Sequence, residues 1–414
     1  MKNFVKSILL TLIIFYILPA GAQQADGVDF IKLTDKFYRI VCANGGNTVN
    51  TLASVGDDGI LLIDAGYRQT GEELKSGIGT LGNGNLKILI YTHIHNDHIG
   101  GSGALANEDL LIIAHKNVRS RLEGFYGQIS NVPEEALPGL TFENDLTLYF
   151  NDEEIRLLYF PGHSDGDIVI HFPQSKLAFM GDLLLSNGFP SVQTNVGGDI
   201  EQYLATLKKI LDYFPEDTKF IAGHGNDCTF DDMQQYYTMA VNTTNVIREG
   251  LEEGKDIDAM RKEDILKKWK SIVTNGPTAD YWIGAVTQSL TNENNKPSIA
   301  EPLLNTLIES DADAAVSQYR ELKTNHFDDY VFFENALNTL GYYLLGRNRI
   351  QDAIEIFKLN VEEYPEAFNV YDSLGEAYMN NGDKELAIKY YEKSLELNPD
   401  NLNAVEMIKR IKAN

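Results

Sequence analysis

The sequence YTHIHNDH at residues 91–98 places three histidines and one aspartate within six positions, directly after an apolar run. In an extended segment, residues two positions apart point to the same side, so His93 and His95 can bind one metal ion. Asp97 and His98 follow where the chain is expected to turn into a helix, and they can face a second ion. Imidazole and carboxylate groups are common ligands of zinc and other divalent metals. This stretch therefore predicts a metal site at the end of a strand.

Three more candidate ligands occur downstream, each after a short apolar run and a glycine: His163, Asp182 and His224. Loops at the ends of buried strands are where a rigid scaffold presents functional groups, and glycine permits the close turns that such loops need. A single histidine is more often a structural or exposed group, and His115, His171 and His326 are interpreted in that way. The dense first cluster and the repeated glycine–ligand pattern indicate a functional metal site.

Residues 30 to 230 consist of short apolar runs separated by Gly, Asn, Asp and Pro, which is typical of an α/β domain. Runs of four to six residues rich in Ile, Leu and Phe predict buried strands. The apolar spacing over 199–213 predicts a helix, with Asp199 as its N-cap. The predicted strands are residues 59–63, 87–91, 155–160, 168–172, 177–180 and 219–222.

From about residue 231 the strand pattern disappears, and residues 231–253 and 257–273 are predicted to be helical. Pro297, in a polar stretch, suggests a linker. Beyond it four features recur at an interval of 34 residues, which is the period of the tetratricopeptide repeat. The recurring pairs are Leu340-Gly341 with Leu374-Gly375, Ala353 with Ala387, Phe357 with Tyr391, and Pro365 with Pro399.

Two full repeats are predicted over residues 334–401, with a preceding helix at 311–325 and a capping helix at 402–412. A repeat cannot bury its apolar face alone, so a stack this short is expected to pack against its neighbours. The repeats thus favour a packing or dimerisation module, while a groove for a protein partner stays open.

The order His-x-His-x-Asp-His, Gly-His, Gly-Asp, Gly-His, preceded by Asp64 in LIDAG at 62–66, resembles the metallo-β-lactamase superfamily. The resemblance covers about residues 30 to 230 and implies an αββα sandwich with its site at one edge of two sheets. It also implies that Asp64 supports the histidine loop without binding metal. By the same resemblance, the first metal is bound by His93, His95 and His163, the second by Asp97, His98 and His224, and Asp182 bridges both.

This resemblance implies a metal-dependent hydrolase in which two ions share a hydroxide, with Asp97 orienting it. Two zinc ions are expected, and iron or manganese is also compatible with the ligands. The expected substrate is a small ester, lactone, thioester or amide. Asp182 stands where true β-lactamases of this fold tend to carry Cys or Ser, but β-lactam cleavage stays open. His95 stands where the flavodiiron branch usually has Glu, which disfavours that branch.

Two hypotheses about other kinds of function remain. The first is an interaction protein that acts through its repeats and keeps an accessory metal site. The second is a mono-iron oxygenase that uses the same ligands on the same fold. Tyr281 and Trp282 can place a helix beside the site, although no motif requires it.

The start of the chain has the pattern of a secretory signal: Lys2 and Lys6 precede the apolar residues 8–18, and a small-residue cleavage site ends at Ala22. An uncleaved anchor is the alternative. Export predicts a periplasmic or extracellular protein, without a membrane span once the signal is removed. The formal net charge is −25, and removal of residues 1–22, with two lysines and no acid, brings it to −27. Nucleic acid is therefore a poor candidate partner.

The chain of 414 residues is longer than one compact core usually holds. The sequence leaves open whether the two cysteines, Cys42 and Cys228, pair. The predicted organisation is a signal peptide at 1–22, a metallo-β-lactamase-fold catalytic domain at 23–240, a helical extension and linker at 241–298, and an all-α tetratricopeptide-repeat domain at 299–414.

Overall fold

The structure is a computed structural model that describes residues 26–82, 84–130, 132–291, 296–399 and 401–413. The predicted signal peptide, residues 1–22, lies outside the described residues. Two β-sheets with flanking helices occupy the N-terminal half, and helices alone follow from residue 230. Within the described ranges, none of the helices combines the length and the apolar character that crossing a membrane requires.

The first sheet has seven strands in the order β1 to β7. Strands β1 to β4 pair antiparallel, and β4 to β7 pair parallel. These strands are β1 (Gly27–Lys32), β2 (Phe37–Asn44), β3 (Asn47–Gly56), β4 (Gly59–Ile63), β5 (Leu86–Ile90), β6 (Leu111–His115) and β7 (Leu140–Phe142).

The second sheet contains five strands: β8 (Leu146–Phe150), β9 (Glu153–Tyr159), β10 (Ile168–Phe172), β11 (Leu177–Phe179) and β12 (Lys219–Ile221). Their order across the sheet is β12-β11-β10-β9-β8, with β11 and β12 parallel and the other neighbours antiparallel. All six strands predicted from apolar runs are present, and β4 and β10 have the predicted bounds.

Both faces of the first sheet are buried, as the continuous apolar sequence of β4 requires. Successive side chains of a strand point to opposite faces. Accordingly, Leu61 and Ile63 join the core between the two sheets, whereas Ile60 and Leu62 join a core under the helices on the outer face. A third core lies between the outer face of the second sheet and its own helices. The four layers form the predicted αββα sandwich.

Nine α-helices are described before residue 291, six between strands and three after the last strand: α1 (Gly71–Ile78), α2 (Asn96–Ile99), α3 (Ser102–Leu105), α4 (Lys116–Glu123), α5 (Phe125–Ser130), α6 (Ile200–Tyr213), α7 (Phe230–Glu252), α8 (Ile257–Lys262) and α9 (Ala279–Leu290). Helix α6 begins after Asp199, as predicted, and the Asp199 side chain accepts a hydrogen bond from the Gln202 amide. Helices α6, α7 and α9 share one hydrophobic core with the second sheet, and the fully buried Trp282 is among its members.

The prediction of one helix over 257–273 is wrong. Helix α8 ends at Lys262, and Asp264 has a φ of +53°. A residue in this left-handed conformation breaks the helical hydrogen-bond ladder. The chain then continues as a 3₁₀ helix, Lys267–Ile272.

Seven helices follow in the described C-terminal part: α10 (Ala300–Glu309), α11 (Ala312–Asn325), α12 (Glu334–Leu345), α13 (Ile350–Glu363), α14 (Phe368–Asn380), α15 (Lys384–Leu397) and α16 (Leu402–Ala413). The recurring glycines have the predicted role. A Cβ on Gly341 would lie 2.4 Å from the Phe357 ring, and one on Gly375 would lie 3.1 Å from the Tyr391 ring. The stack contacts the catalytic half where α12 packs against α5.

Cys42 and Cys228 are both buried free thiols, so the structure contains no disulfide between them.

Candidate metal centre

The strand directions bring the candidate ligands to one edge of the sandwich. In the first sheet, β4 and β5 are parallel, so Asp64 and the histidine loop follow strand ends at the same edge. In the second sheet, β9, β11 and β12 run in the same direction and lead to His163, Asp182 and His224. Backbone hydrogen bonds join the two edges, including one of 2.7 Å from the Asn50 amide to the Gly223 carbonyl.

All seven predicted site residues converge there in two groups whose ligand atoms lie within 4.8 Å of one another. Within the first group, Nδ1 of His95 lies 3.0 Å from Nε2 of His93 and 2.9 Å from Nε2 of His163. Within the second group, Nε2 of His224 lies 3.1 Å from Oδ2 of Asp97. The first group consists of His93, His95, His163 and Asp182, and the second of Asp97, His98 and His224.

Asp182 lies between the two groups. Its Oδ2 is 3.8 Å from Nε2 of His93 and 3.6 Å from Nε2 of His163. Its Oδ1 is 3.1 Å from Nε2 of His98 and 3.4 Å from Nε2 of His224. One carboxylate oxygen therefore faces each group, which is the geometry that a bridging ligand needs.

Four of the histidines have their Nδ1 directed outward, to an acceptor in the protein. His98 Nδ1 lies 2.7 Å from Asp64 Oδ2, and His163 Nδ1 lies 2.9 Å from the Ser191 carbonyl. His224 Nδ1 faces the Thr48 carbonyl in the same way. His93 Nδ1 lies 2.9 Å from Thr92 Oγ1, whose own hydrogen is donated to Asp64. Because an acceptor faces Nδ1 in each case, Nδ1 carries a hydrogen and Nε2 is the ring nitrogen that faces the site.

The donor set fits metal ions. His98 Nε2 and Asp182 Oδ1 are buried and make no hydrogen bond, although they lie only 3.1 Å apart. A buried polar atom without a partner is costly. A divalent cation would satisfy both atoms, and nitrogen and carboxylate oxygen are ligands that zinc accepts.

The electrostatics divide the site into two parts. Burial lowers the pKa of His93 well below its ordinary value, so its imidazole is neutral. Burial also opposes a charge on His98, but the neighbouring carboxylates, Asp182 first among them, raise the pKa of His98 well above its ordinary value. Burial opposes ionisation of Asp97 as well, but His98 and His224 outweigh this effect and lower the pKa of Asp97 to about 2. The carboxylates of Asp182 and Asp97 therefore favour a positive charge beside them.

The ligand side chains differ in their exposure. The Asp97 side chain is 26% exposed and that of His224 is 15% exposed, whereas that of Asp182 is 9% exposed and those of His93 and His163 are 1% exposed. The partly exposed ligands are His95, Asp97 and His224, so both groups contribute to the open side of the site.

The remaining histidines lie outside both groups. His115 caps α4 and stacks on Tyr159, His171 packs against Phe214, and His326 pairs with Asp329. These positions agree with their interpretation as structural or exposed groups.

Apart from Asp64, the sequence did not reveal the residues that orient the ligands. Thr48 and Ser191 act through backbone carbonyls, which leave no side-chain signature. Asp167 is another: its Oδ2 accepts hydrogen bonds from the amides of Gly162 and Ser164, on either side of His163. Its position in the sequence SDGD directly after His163 was the one available signal.

Comparison with known proteins agrees with this geometry. The family model described as the metallo-beta-lactamase superfamily matches residues 44–224, and a tetratricopeptide repeat model matches residues 368–401. Repeats of this type mediate contacts between proteins.

Three relatives match the catalytic half. A probable metallo-hydrolase, YqgX of Bacillus subtilis, is 28% identical over 182 residues, which cover 42% of this chain and 84% of the relative. The beta-lactamase-like protein 2 homolog of Caenorhabditis elegans is 27% identical over 244 residues, which cover 55% of this chain and 75% of the relative. The hydroxyacylglutathione hydrolase GloC of Haemophilus influenzae is 30% identical over 164 residues, which cover 35% of this chain and 71% of the relative.

The sandwich fold, the cluster of histidines and aspartates suited to a divalent metal, and the hydrolase relatives lead to one conclusion. The chain is a metal-dependent hydrolase that belongs to the metallo-beta-lactamase superfamily.

Proposed function

We propose that this protein is an exported hydrolase that binds two zinc ions and cleaves a small carboxylic acid derivative: an ester, a lactone, a thioester or an amide. The observation that carries the proposal is the division of the ligand atoms into two groups on either side of the Asp182 carboxylate. A site for one metal would not need a second set of inward-facing donors.

In this proposal His93, His95 and His163 hold one ion, Asp97, His98 and His224 hold the other, and Asp182 contacts both. When bound there, two such ions would lower the pKa of a water molecule and polarise the substrate carbonyl. The protein keeps the donors in place through the outward hydrogen bonds of the histidines, so the ligands need little rearrangement on binding.

Asp97 has a second role as a catalytic residue. Its carboxylate is ionised at neutral pH and is the most exposed of the acidic side chains in the site. It can therefore accept a hydrogen bond from the attacking water and turn the water lone pair toward the carbonyl carbon.

The names of the relatives support an acyl substrate. The Haemophilus influenzae protein is named as a hydrolase of hydroxyacylglutathione. An exported enzyme would not meet cytosolic glutathione thioesters. We therefore propose a different leaving group on the same kind of acyl carbon.

Export rests on the basic, apolar and small-residue pattern of residues 1–22. Fractionation of expressing cells tests it. A periplasmic or secreted protein that begins at Gln23 by mass spectrometry supports export, and an uncleaved protein in the cytoplasm rejects it.

Metal analysis tests the central proposal. Wild type and Asp182→Ala are purified in parallel, with His326→Ala as a matched control because His326 is exposed and outside both groups. We expect about two zinc per chain in wild type and control, and loss of metal from Asp182→Ala. Circular dichroism confirms that all three proteins are folded.

The same proteins are assayed on a cephalosporin, an acyl lactone, a thioester, a phosphodiester and an aryl sulfate. Turnover of the lactone, the thioester or the cephalosporin supports an acyl substrate. Turnover of the phosphodiester or the sulfate alone rejects that substrate class. One iron with oxygen consumption would identify an oxygenase. A metal-free wild type whose partner binding depends on residues 299–414 would identify an interaction protein.

For the repeat region we propose self-association or a protein partner, supported by the repeats in α12 to α15. Sedimentation velocity of the full chain tests self-association.

A further inference from the structure

We infer that Tyr281 is a positioning residue for the metal centre: it fixes the segment that holds the His163 imidazole in its ligand orientation. The inference rests on the proposed metal-binding function. It concerns a residue beyond the matched residues 44–224, in a helix that the superfamily model does not cover.

The segment that starts at Ser191 holds His163 at two points. The Ser191 carbonyl accepts a hydrogen bond of 2.9 Å from His163 Nδ1. Two residues later, the Gln193 amide donates a hydrogen bond of 2.9 Å to the His163 carbonyl. The imidazole ring and the backbone of His163 are therefore both held by one short segment. A displacement of that segment would move the imidazole and its Nε2 lone pair together.

Tyr281 fixes the same two residues through their side chains. Its hydroxyl lies 2.8 Å from Ser191 Oγ and accepts a hydrogen bond of 2.9 Å from Gln193 Nε2. Gln193 Nε2 also lies 3.3 Å from Ser191 Oγ, so the three polar groups close a ring. Among the hydrogen bonds of the described residues, Tyr281 is the one tyrosine in this ring.

The helix that carries Tyr281 is firmly anchored. The neighbouring residue, Trp282, is fully buried and donates a hydrogen bond of 2.8 Å from Nε1 to Thr243 Oγ1 on α7. At the other end of α9, Ser289 Oγ accepts a hydrogen bond of 2.8 Å from the Ile200 amide at the start of α6. A hydroxyl presented by such a rigid helix can restrain a loop more tightly than one presented by another loop.

A change at Tyr281 would affect Nε2 of His163, the atom that faces the other ligands of the first group. With Nδ1 bonded to the Ser191 carbonyl, His163 directs Nε2 to within 2.9 Å of His95 Nδ1 and 3.6 Å of Asp182 Oδ2. Loss of the Tyr281 hydroxyl removes two of the three contacts in this ring, those to Ser191 Oγ and Gln193 Nε2. The His163 ring then samples orientations that are less suited to the metal.

Metal affinity of the full-length protein tests this inference. The metal-free protein is titrated with zinc against a chromogenic chelator, for wild type, Tyr281→Phe and Tyr371→Phe. Tyr371 is the control because its hydroxyl also makes a hydrogen bond, to the backbone carbonyl of Pro365, but in the repeat region. We expect Tyr281→Phe to bind zinc about tenfold more weakly, and Tyr371→Phe to match wild type.

Cobalt gives a readout that a change in stability alone would not move. The visible absorption bands of the cobalt-loaded protein report ligand geometry, and we expect them to shift in Tyr281→Phe and not in the control. Ser191→Ala removes the other side of the ring, and the double variant should lose less affinity than the sum of the single losses. If Tyr281→Phe does not fold, Ser191→Ala carries the test.

The outcomes separate the two proposals. A wild type that binds no zinc and no cobalt overturns the proposed function. A wild type that binds metal, with unchanged affinity and unchanged cobalt bands in both Tyr281→Phe and Ser191→Ala, overturns the role of Tyr281 alone.

Discussion

Nδ1 of His98 donates a hydrogen bond of 2.7 Å to Oδ2 of Asp64, and both side chains are fully buried. Asp64 also accepts hydrogen bonds of 2.8 Å from the amide and the hydroxyl of Thr92. Its φ of +61° lies in the left-handed region, which aspartate and asparagine tolerate better than most residues. One carboxylate at the end of β4 thus fixes the position of the histidine loop after β5.

Asp64→Asn should weaken metal binding about 10- to 100-fold. Asparagine keeps the size and the backbone preference, but it replaces one acceptor oxygen by an amide that repels the Nδ1 hydrogen of His98 or the donors on Thr92. The measurement is a zinc titration against a chelator. Asp58→Asn, which changes an exposed aspartate in the turn before β4, is the control. Equal affinity in Asp64→Asn and wild type would show that Asp64 does not orient His98.

Gly223→Ala should lose metal and stability. A Cβ at this position would lie 2.4 Å from Oδ1 of Asp182, so either the carboxylate or the loop before His224 must move. Overpacking of this kind costs about 1–3 kcal/mol in the free energy of unfolding. Gly139→Ala is the control, since its Cβ would meet no atom within 4 Å. Urea denaturation and zinc content measure the two effects, and a Gly223→Ala protein with full zinc content would contradict the expectation.

Removal of metal should lower the melting temperature of the wild type. A ligand at a hundred times its Kd stabilises the folded state by about 2.7 kcal/mol, and chelation removes that contribution. Differential scanning calorimetry with and without a chelator measures the shift. Asp182→Ala, already deficient in metal, should show little response to the chelator. An equal response in both proteins would mean that the chelator acts elsewhere.

Gly341→Ala should destabilise the repeat region without a direct effect on catalysis. Its Cβ would lie 2.4 Å from the Phe357 ring, in the tight contact between α12 and α13. We expect a loss of about 1–3 kcal/mol, measured by chemical denaturation. Gly346→Ala is the matched control: it ends the same helix with a φ of −61° and meets its nearest atom at 3.5 Å, so it should be neutral or slightly stabilising. Similar stabilities for both variants would argue against the close packing.

The sequence pattern was sufficient for the main buried strands and the candidate ligands, while the layers of the fold and the convergence of the site followed from the family resemblance. The buried strands β4 and β10 are short apolar runs bounded by turn residues, and both were predicted with their final bounds. The ligand candidates were visible because each follows such a run. These ligands meet at one edge because the strands that precede them run in the same direction: β4 with β5 in the first sheet, and β9 with β11 and β12 in the second.

Other features have no local sequence signal. The Thr48 and Ser191 carbonyls could belong to any residue type, since the backbone makes the contact. Tyr281 lies more than a hundred positions from His163 in the sequence, and no motif connects them. The break at Asp264 depends on one backbone conformation within a segment whose apolar spacing is helical.

The two buried cysteines bear on how the enzyme can be handled. Burial raises the pKa of Cys42 to about 12 and that of Cys228 to about 11, so both remain thiols at neutral pH, while oxidation and disulfide exchange proceed through the thiolate. The folded protein should therefore tolerate air and an oxidising compartment without a reductant. Purification buffers can therefore omit small-molecule thiols. This matters because such thiols are themselves strong ligands for zinc, and without them the metal stoichiometry reflects the protein alone.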